Sequence, residues 1–183
     1  FSEACAKVGL QPLYGMQIEL LSAGSPAHPM VLLAENELGW ANLCRLSSKV
    51  LIEQQTNAQK LCRMEDLDAH AGGLIALAGG SRSALYRHIR ERQPQAASRL
   101  LNELRDLFPE RVYALLSAGT PEEKHVALAL QDIAHRLMIP SAASQEVYYL
   151  RPGQADLQRV LTAIRLNTPL NKLSPDACAP ADC

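Results

Sequence analysis

Short apolar segments alternate along this chain with stretches whose apolar residues recur at helical spacing, and no other feature restricts the fold as much. Residues 13–21, 30–34, 74–78 and 112–117 are apolar runs of strand length, and 140–150 combines a strand with a turn. That order of short strands and amphipathic helices predicts an α/β fold with largely parallel strands. Gly15 falls inside the first run, where a glycine marks a close approach of backbone. Residues 22–29, with Gly, Ser and two prolines, read as a loop.

The helical segments carry their own punctuation. Residues 1–8 read as a helix stopped by Gly9. Asn36 is an N-cap for a helix whose apolar stripe is Trp40, Leu43, Ser47 and Val50, broadened by Cys44 and Leu51. Residues 54–63 are polar and read as the loosest connection, and 64–70 as a short helix ended by Gly72-Gly73. From 81 to 108 the pattern is helical but broken near Pro94, because proline cannot continue the hydrogen-bond ladder. Its second half places Ala97, Leu100, Leu101, Leu104 and Phe108 on one face. Thr120-Pro121-Glu122-Glu123 is a strong helix start: Thr caps, Pro suits the first helical position and Glu123 completes a capping box. Val126, Leu130, Ile133 and Leu137 follow as one stripe, and the last helix carries Leu157, Val160, Leu161 and Ile164.

At 183 residues, 48% apolar and 20% charged, the chain has the composition of one soluble domain with a sizeable core. A net charge of −1 makes no case for nucleic acid or membrane as a partner of the whole surface. No apolar run is long enough to cross a bilayer, which points to the cytoplasm and to no membrane partner. Cys5, Cys44, Cys62, Cys178 and Cys183 are odd in number and lack short paired spacings, so buried or incidental thiols are expected rather than disulfides or a zinc ribbon.

Five segments, PLYGMQIELLS, PMVLLAENELGWANLCRLSS, LDAHAGGLIALAGG, RLMIPSAASQEVYYL and LQRVLTAIRLNTPL, in that order and at those separations, resemble the PHP (polymerase and histidinol phosphatase) domain near the start of bacterial DNA polymerase III alpha subunits. The resemblance covers residues 1–170 and leaves 171–183 as a flexible tail or linker. It implies an α/β fold of PHP type, a distorted (β/α)7 barrel with outer helices. The barrel is expected to be incomplete at the N-terminus. The family's earliest motifs, a His-x-His strand and a Thr-Asp-His segment, should precede Phe1, and the chain reads as an excerpt of a longer protein. Expressed alone, such an excerpt is expected to be poorly soluble or incompletely cooperative in unfolding.

The family's metal ligands are His, Asp, Glu and Cys side chains, and the matching positions here are depleted. Where an acidic ligand follows the glycine-containing strand, this chain has Gln17, whose neutral carbonyl oxygen is a poor substitute. Glu19 lies two residues on and would share a strand face with it. A histidine position is occupied by Pro29, with His28 one place early; a one-residue slip reverses side-chain direction in a strand, and His28 reads as a surface-loop residue. Gly80 stands where some members carry cysteine. Gln145-Glu146-Val147-Tyr148 replaces an Asn-Asp-x-His pattern, with Glu146 keeping the charge and Tyr148 losing the imidazole. The low-grade remnants of a metal site are therefore Glu146, His28 and Glu19. They are too few for a multi-metal centre.

Where the ligands survive, the family implies a metal-dependent phosphoesterase or a 3′–5′ proofreading exonuclease, with zinc or manganese. Where they are lost it implies a scaffold for the polymerase. The expected role is the scaffold, within a replicative or error-prone polymerase whose magnesium-dependent palm lies elsewhere. The expected partners are the remainder of the polymerase chain, a proofreading exonuclease subunit, a sliding clamp, and DNA through the parent protein.

Other constellations read as structural. Asp66 and Asp68 are two apart in a helical turn and face different directions. His70 is placed to answer the last carbonyls of that turn. Gly79-Gly80-Ser81 joins a strand to a helix but lacks the Gly-Lys-Ser/Thr of a P-loop. Arg82, Arg87, Arg90 and Arg92, with His88 and opposed by Glu91, form the one basic cluster, whose functional readings are contact with DNA phosphates or with an acidic partner protein and whose default reading is a solvated face. His125 and His135 are expected to face solvent.

Overall fold

The computed structural model describes residues 1–22, 26–52, 61–144, 147–174 and 177–178. The chain divides into two compact units, Phe1–Ala143 and Ser144–Cys183.

The first unit is a mixed α/β layer. Its strands are β1 (Gly15–Leu21), β2 (His28–Ala34), β3 (Leu61–Arg63), β4 (Leu74–Gly79), β5 (Val112–Leu116) and β6 (Ser141–Ala143). Its helices are α1 (Ser2–Lys7), α2 (Glu37–Ile52), α3 (Met64–Asp68), α4 (Ala84–Arg90), α5 (Pro94–Leu107) and α6 (Pro121–Arg136). The described strands form one sheet in the order β3-β1-β2-β4-β5-β6. The pairs β1–β3, β4–β5 and β5–β6 are parallel, but β2 is antiparallel to both β1 and β4. The expectation of largely parallel strands fails at β2. The connection from β1 is too short for the crossover that a parallel neighbour needs.

Cross-strand partners point to the same side of a sheet, so the register separates its two faces. On one face lie Ile18 and Leu20 of β1, Met30 and Leu32 of β2, Cys62 of β3, Leu74, Ala76 and Ala78 of β4, and Val112 and Ala114 of β5. These pack with Leu43 and Leu46 of α2, Leu85 of α4, and Ile133 of α6 into one core. From α5, Ala97, Leu100, Leu101 and Leu104 join it, together with Phe108 just past the helix end, as their spacing predicts. Burial of this kind stabilises by roughly 1.5–3 kcal/mol per large apolar side chain. The second face carries Gln17, Glu19, Val31, Leu33, Ile75, Leu77, Tyr113 and Leu115, and all are half-buried or exposed. Six described strands with helices on one face are consistent with a PHP-type α/β barrel, whose inner face would be this second one.

The α2 stripe differs from its reading. Trp40 and Cys44 are exposed, and the buried face is Gly39, Asn42, Leu43 and Leu46. Helix and turn meet closely here: a Cβ on Gly39 would collide with the Gly73 carbonyl oxygen. Asn36 caps the helix as expected, accepting the Gly39 N–H at 3.0 Å, and Asn42 Nδ2 donates to the Gly72 carbonyl at 2.8 Å. Gly15 also makes the expected close approach, against Leu32 and Leu33. Residues 61–63, read as part of a loose connection, form β3, while 54–60 lie outside the described residues. Thr120 Oγ1 accepts the Glu123 N–H at 3.2 Å, but Glu123 Oε2 accepts from Gly119, one residue earlier than a capping box places it.

The second unit holds α7 (Ala155–Arg165) between two short 3-10 turns. Its expected apolar stripe is exposed: Leu157 57%, Val160 38%, Leu161 58% and Ile164 70%. A unit this short cannot build a core that would bury four such side chains.

Candidate metal site

The register decides which remnants can meet. Gln17 and Glu19 alternate with the buried Ile18 and Leu20, so both project from the second face of the sheet. Glu19 pairs directly with Pro29, putting that proline on the same face. β4 ends at Gly79, two residues past Leu77, the partner of Val31. Gly80 follows with φ +85, and nothing lies within 4 Å of the Cβ position it lacks. The positions at which the resemblance places the first-strand acid and the histidine, Gln17 and Pro29, thus share the second face, while Gly80 lies past the end of β4 and the register gives it no face.

His28 is not among them. It pairs with Leu20 and faces the helices, 4% exposed, so its reading as a surface-loop residue is corrected. β2 begins two residues earlier than expected, at His28 itself, and includes Pro29. The proline is tolerated because β4 pairs only with Val31–Ala34, so no ladder bond to β4 is broken. His28 Nδ1 lies 3.4 Å from the Pro26 carbonyl. Burial lowers its pKa, the Pro26 contact opposes that, and the charges of Arg87 and His88 lower it further. Glu19 and His28 therefore project from opposite faces. Glu146 lies outside the described residues, and Tyr148, 44% exposed, belongs to the second unit.

A two- or three-ion centre needs several anionic or imidazole donors around ions about 3.5–4 Å apart. Among the described residues, the ligand positions on the second face hold one carboxylate (Glu19), one neutral amide (Gln17) and a proline (Pro29). This donor set does not fit such a centre. Among the described residues, no three His, Cys, Asp or Glu side chains form a group that could hold a metal ion.

The acidic and histidine residues near α3 are held by local contacts. Asp66 Oδ2 accepts the Arg63 N–H at 3.0 Å, and Asp66 Oδ1 pairs with Lys49 Nζ at 2.6 Å. Burial resists ionisation of this carboxyl, but Lys49 and the Arg63 N–H outweigh it and hold the pKa below the usual range. His70 Nδ1 lies 2.8 Å from the Asp66 carbonyl, the helix-end contact expected of it. Burial also pushes the Cys62 thiol up to about 12, an inert state for a thiol. His125 and His135 are exposed on α6. Asn42 was not singled out in the sequence; an apolar-periodicity reading has no signal for a buried amide that ties α2 to a turn.

A layer of helices on one face of a mixed sheet, with the Gln17 and Pro29 ligand positions on the other, is the arrangement expected of one class. The chain belongs to the PHP domain family, whose sequence profile matches residues 1–115. It is similar to DNA polymerase III subunit alpha of Rickettsia bellii, 29% identical over 168 residues, covering 90% of this chain and 14% of that protein. The subunit of Caulobacter vibrioides is 27% identical over 172 residues, 90% of this chain and 15% of the relative. That of Thermus aquaticus is 32% identical over 143 residues, 78% and 12% respectively. The chain spans about one-seventh of the length of these curated relatives.

Proposed function

We propose that this PHP domain serves as a structural scaffold within a DNA polymerase III alpha-type chain and no longer performs metal-dependent phosphoester chemistry. The observation that carries the reading is the chemistry of the second face, where Gln17 and Pro29 replace ligands and Glu19 is the one carboxylate beside them among the described residues. A lone carboxylate cannot neutralise two divalent ions or orient water between them. In this reading, DNA synthesis uses magnesium in a palm outside this segment, and zinc or manganese has no seat here. The partners are the rest of the polymerase chain and, through it, DNA, a sliding clamp and a separate proofreading exonuclease subunit. The setting is the cytoplasm. Among the described residues no helix is long and apolar enough to cross a membrane, in keeping with that setting.

The test compares Glu19→Gln/Glu146→Gln with the unaltered parent polymerase in primer extension and in 3′–5′ degradation of a mismatched primer. Extension within twofold of the parent, and no degradation attributable to this domain in either protein, is expected. Degradation by the purified parent that disappears in the double variant would overturn the scaffold reading.

A further inference from the structure

The chain has one tryptophan, Trp40, and the structure leaves it 52% exposed on α2. Two more exposed rings stand beside it, Tyr14 just before β1 and Phe1 just before α1. The three form a row in which each ring meets the next edge to face. The centroid distance is 6.3 Å from Phe1 to Tyr14 and 5.4 Å from Tyr14 to Trp40. The row is held from behind: the Tyr14 carbonyl accepts the Ala34 N–H at 2.8 Å, and Leu43 and Leu46 fix α2 in the core. Exposed acids border it. Glu37 precedes Trp40 by three residues on α2 and so lies beside it. Glu35 directly follows Ala34, and Glu3 stands in the first turn after Phe1. The bases of the same two helices are less available: Arg45 donates to Asn42 Oδ1 at 2.9 Å, Lys49 is paired with Asp66, and Lys7 sits at the far end of α1.

We infer that the Phe1–Tyr14–Trp40 row is a docking surface for an extended, basic, proline-containing peptide segment of a partner protein. Edge-to-face rings leave a notch between neighbours, and proline rings dock on aromatic surfaces of this kind. A polyproline II strand rises about 3.1 Å per residue, so two of its residues span about 6 Å, near the separation of successive rings in the row. Such a strand is extended before it binds and loses little entropy on docking. The carboxylates of Glu3, Glu35 and Glu37 select arginine or lysine beside the prolines and disfavour an acidic strand. They also argue against a second copy of this chain, since a two-fold contact would bring the same acids face to face. The inference is independent of the scaffold reading, because neither uses the other's residues.

The test uses the parent polymerase and a fluorescein-labelled peptide of three Pro-Pro-Ala repeats followed by three arginines, read by anisotropy. Saturable binding is expected below about 1 mM, the weak end of the affinity scale. Trp40→Ala and Tyr14→Ala should each weaken it at least fivefold, and Glu35→Lys/Glu37→Lys at least threefold. The control Met138→Ala, at an exposed residue after α6, leaves it unchanged. Replacing the peptide's arginines with glutamates should also cost at least fivefold. An unchanged melting temperature certifies each variant. Trp40→Phe keeps a ring on α2 and should bind within threefold of the parent, which a merely structural tryptophan does not require. No saturable binding up to that concentration, equal binding by the folded Trp40→Ala variant, or preference for the glutamate peptide overturns the inference. A dimer of the parent in sedimentation that Trp40→Ala dissolves overturns it too, in favour of a second copy as the occupant. Failure here leaves the scaffold reading standing, because that reading is judged on primer degradation and not on peptide affinity.

Discussion

Gly39 shows how a single residue can set a helix in place. Alanine is ordinarily favoured over glycine in a helix interior by about 1 kcal/mol. Here the added methyl would meet the backbone oxygen of Gly73, and a carbonyl in a turn cannot swing aside as a side chain can. Overpacking of this kind costs typically 1–3 kcal/mol beyond any gain. Gly39→Ala should therefore lower stability by about 2 kcal/mol in urea denaturation. Equal or greater stability would mean that the α2–turn contact is looser than described. The same residue explains why the α2 stripe was misread. Hydrophobic periodicity favours Trp40 and Cys44, but close helix–turn packing selects the smallest side chain and a hydrogen-bonding amide, Gly39 and Asn42, for the buried side.

At the scale of elements, α3 depends on Asp66, which answers both the Arg63 N–H and Lys49. Its folded pKa lies below the unfolded value near ~3.9. A depressed acid contributes stability that is fully present above the unfolded pKa and is lost as pH falls through the folded one. Asp66→Asn should cost about 1 kcal/mol at pH 7. It should also flatten the fall in melting temperature on acidification below about pH 4. An unchanged acid limb would remove Asp66 from the account. Elements with strong local signals were legible: α5 through its unbroken apolar face, α6 through Thr120-Pro121, and the break at Pro94. β2 was legible only in part. Pro26 and Pro29 read as breakers, and nothing local reveals that β4 leaves the Pro29 end unpaired. β3 was hidden because its three residues acquire strand form only by pairing with β1. The α7 stripe was correct as a pattern but not as a core, since periodicity reports a face and not what covers it.

Across the whole molecule, the family and its α/β character were readable from linked segments, while the direction of each candidate ligand required the register. Gln17, Pro29 and Gly80 could be named as departures from sequence alone. That His28 points into the helix-covered core, away from Glu19, emerges only from its pairing with Leu20. The central claim is that this domain holds no divalent ion of its own. Elemental analysis of the parent polymerase, purified without chelator and then dialysed against metal-free buffer, tests it most directly. Zinc, manganese and iron should each fall below about a tenth of an equivalent per chain, given one carboxylate at these ligand positions among the described residues. One or more retained equivalents, released by Glu19→Gln or Glu146→Gln, would contradict the account.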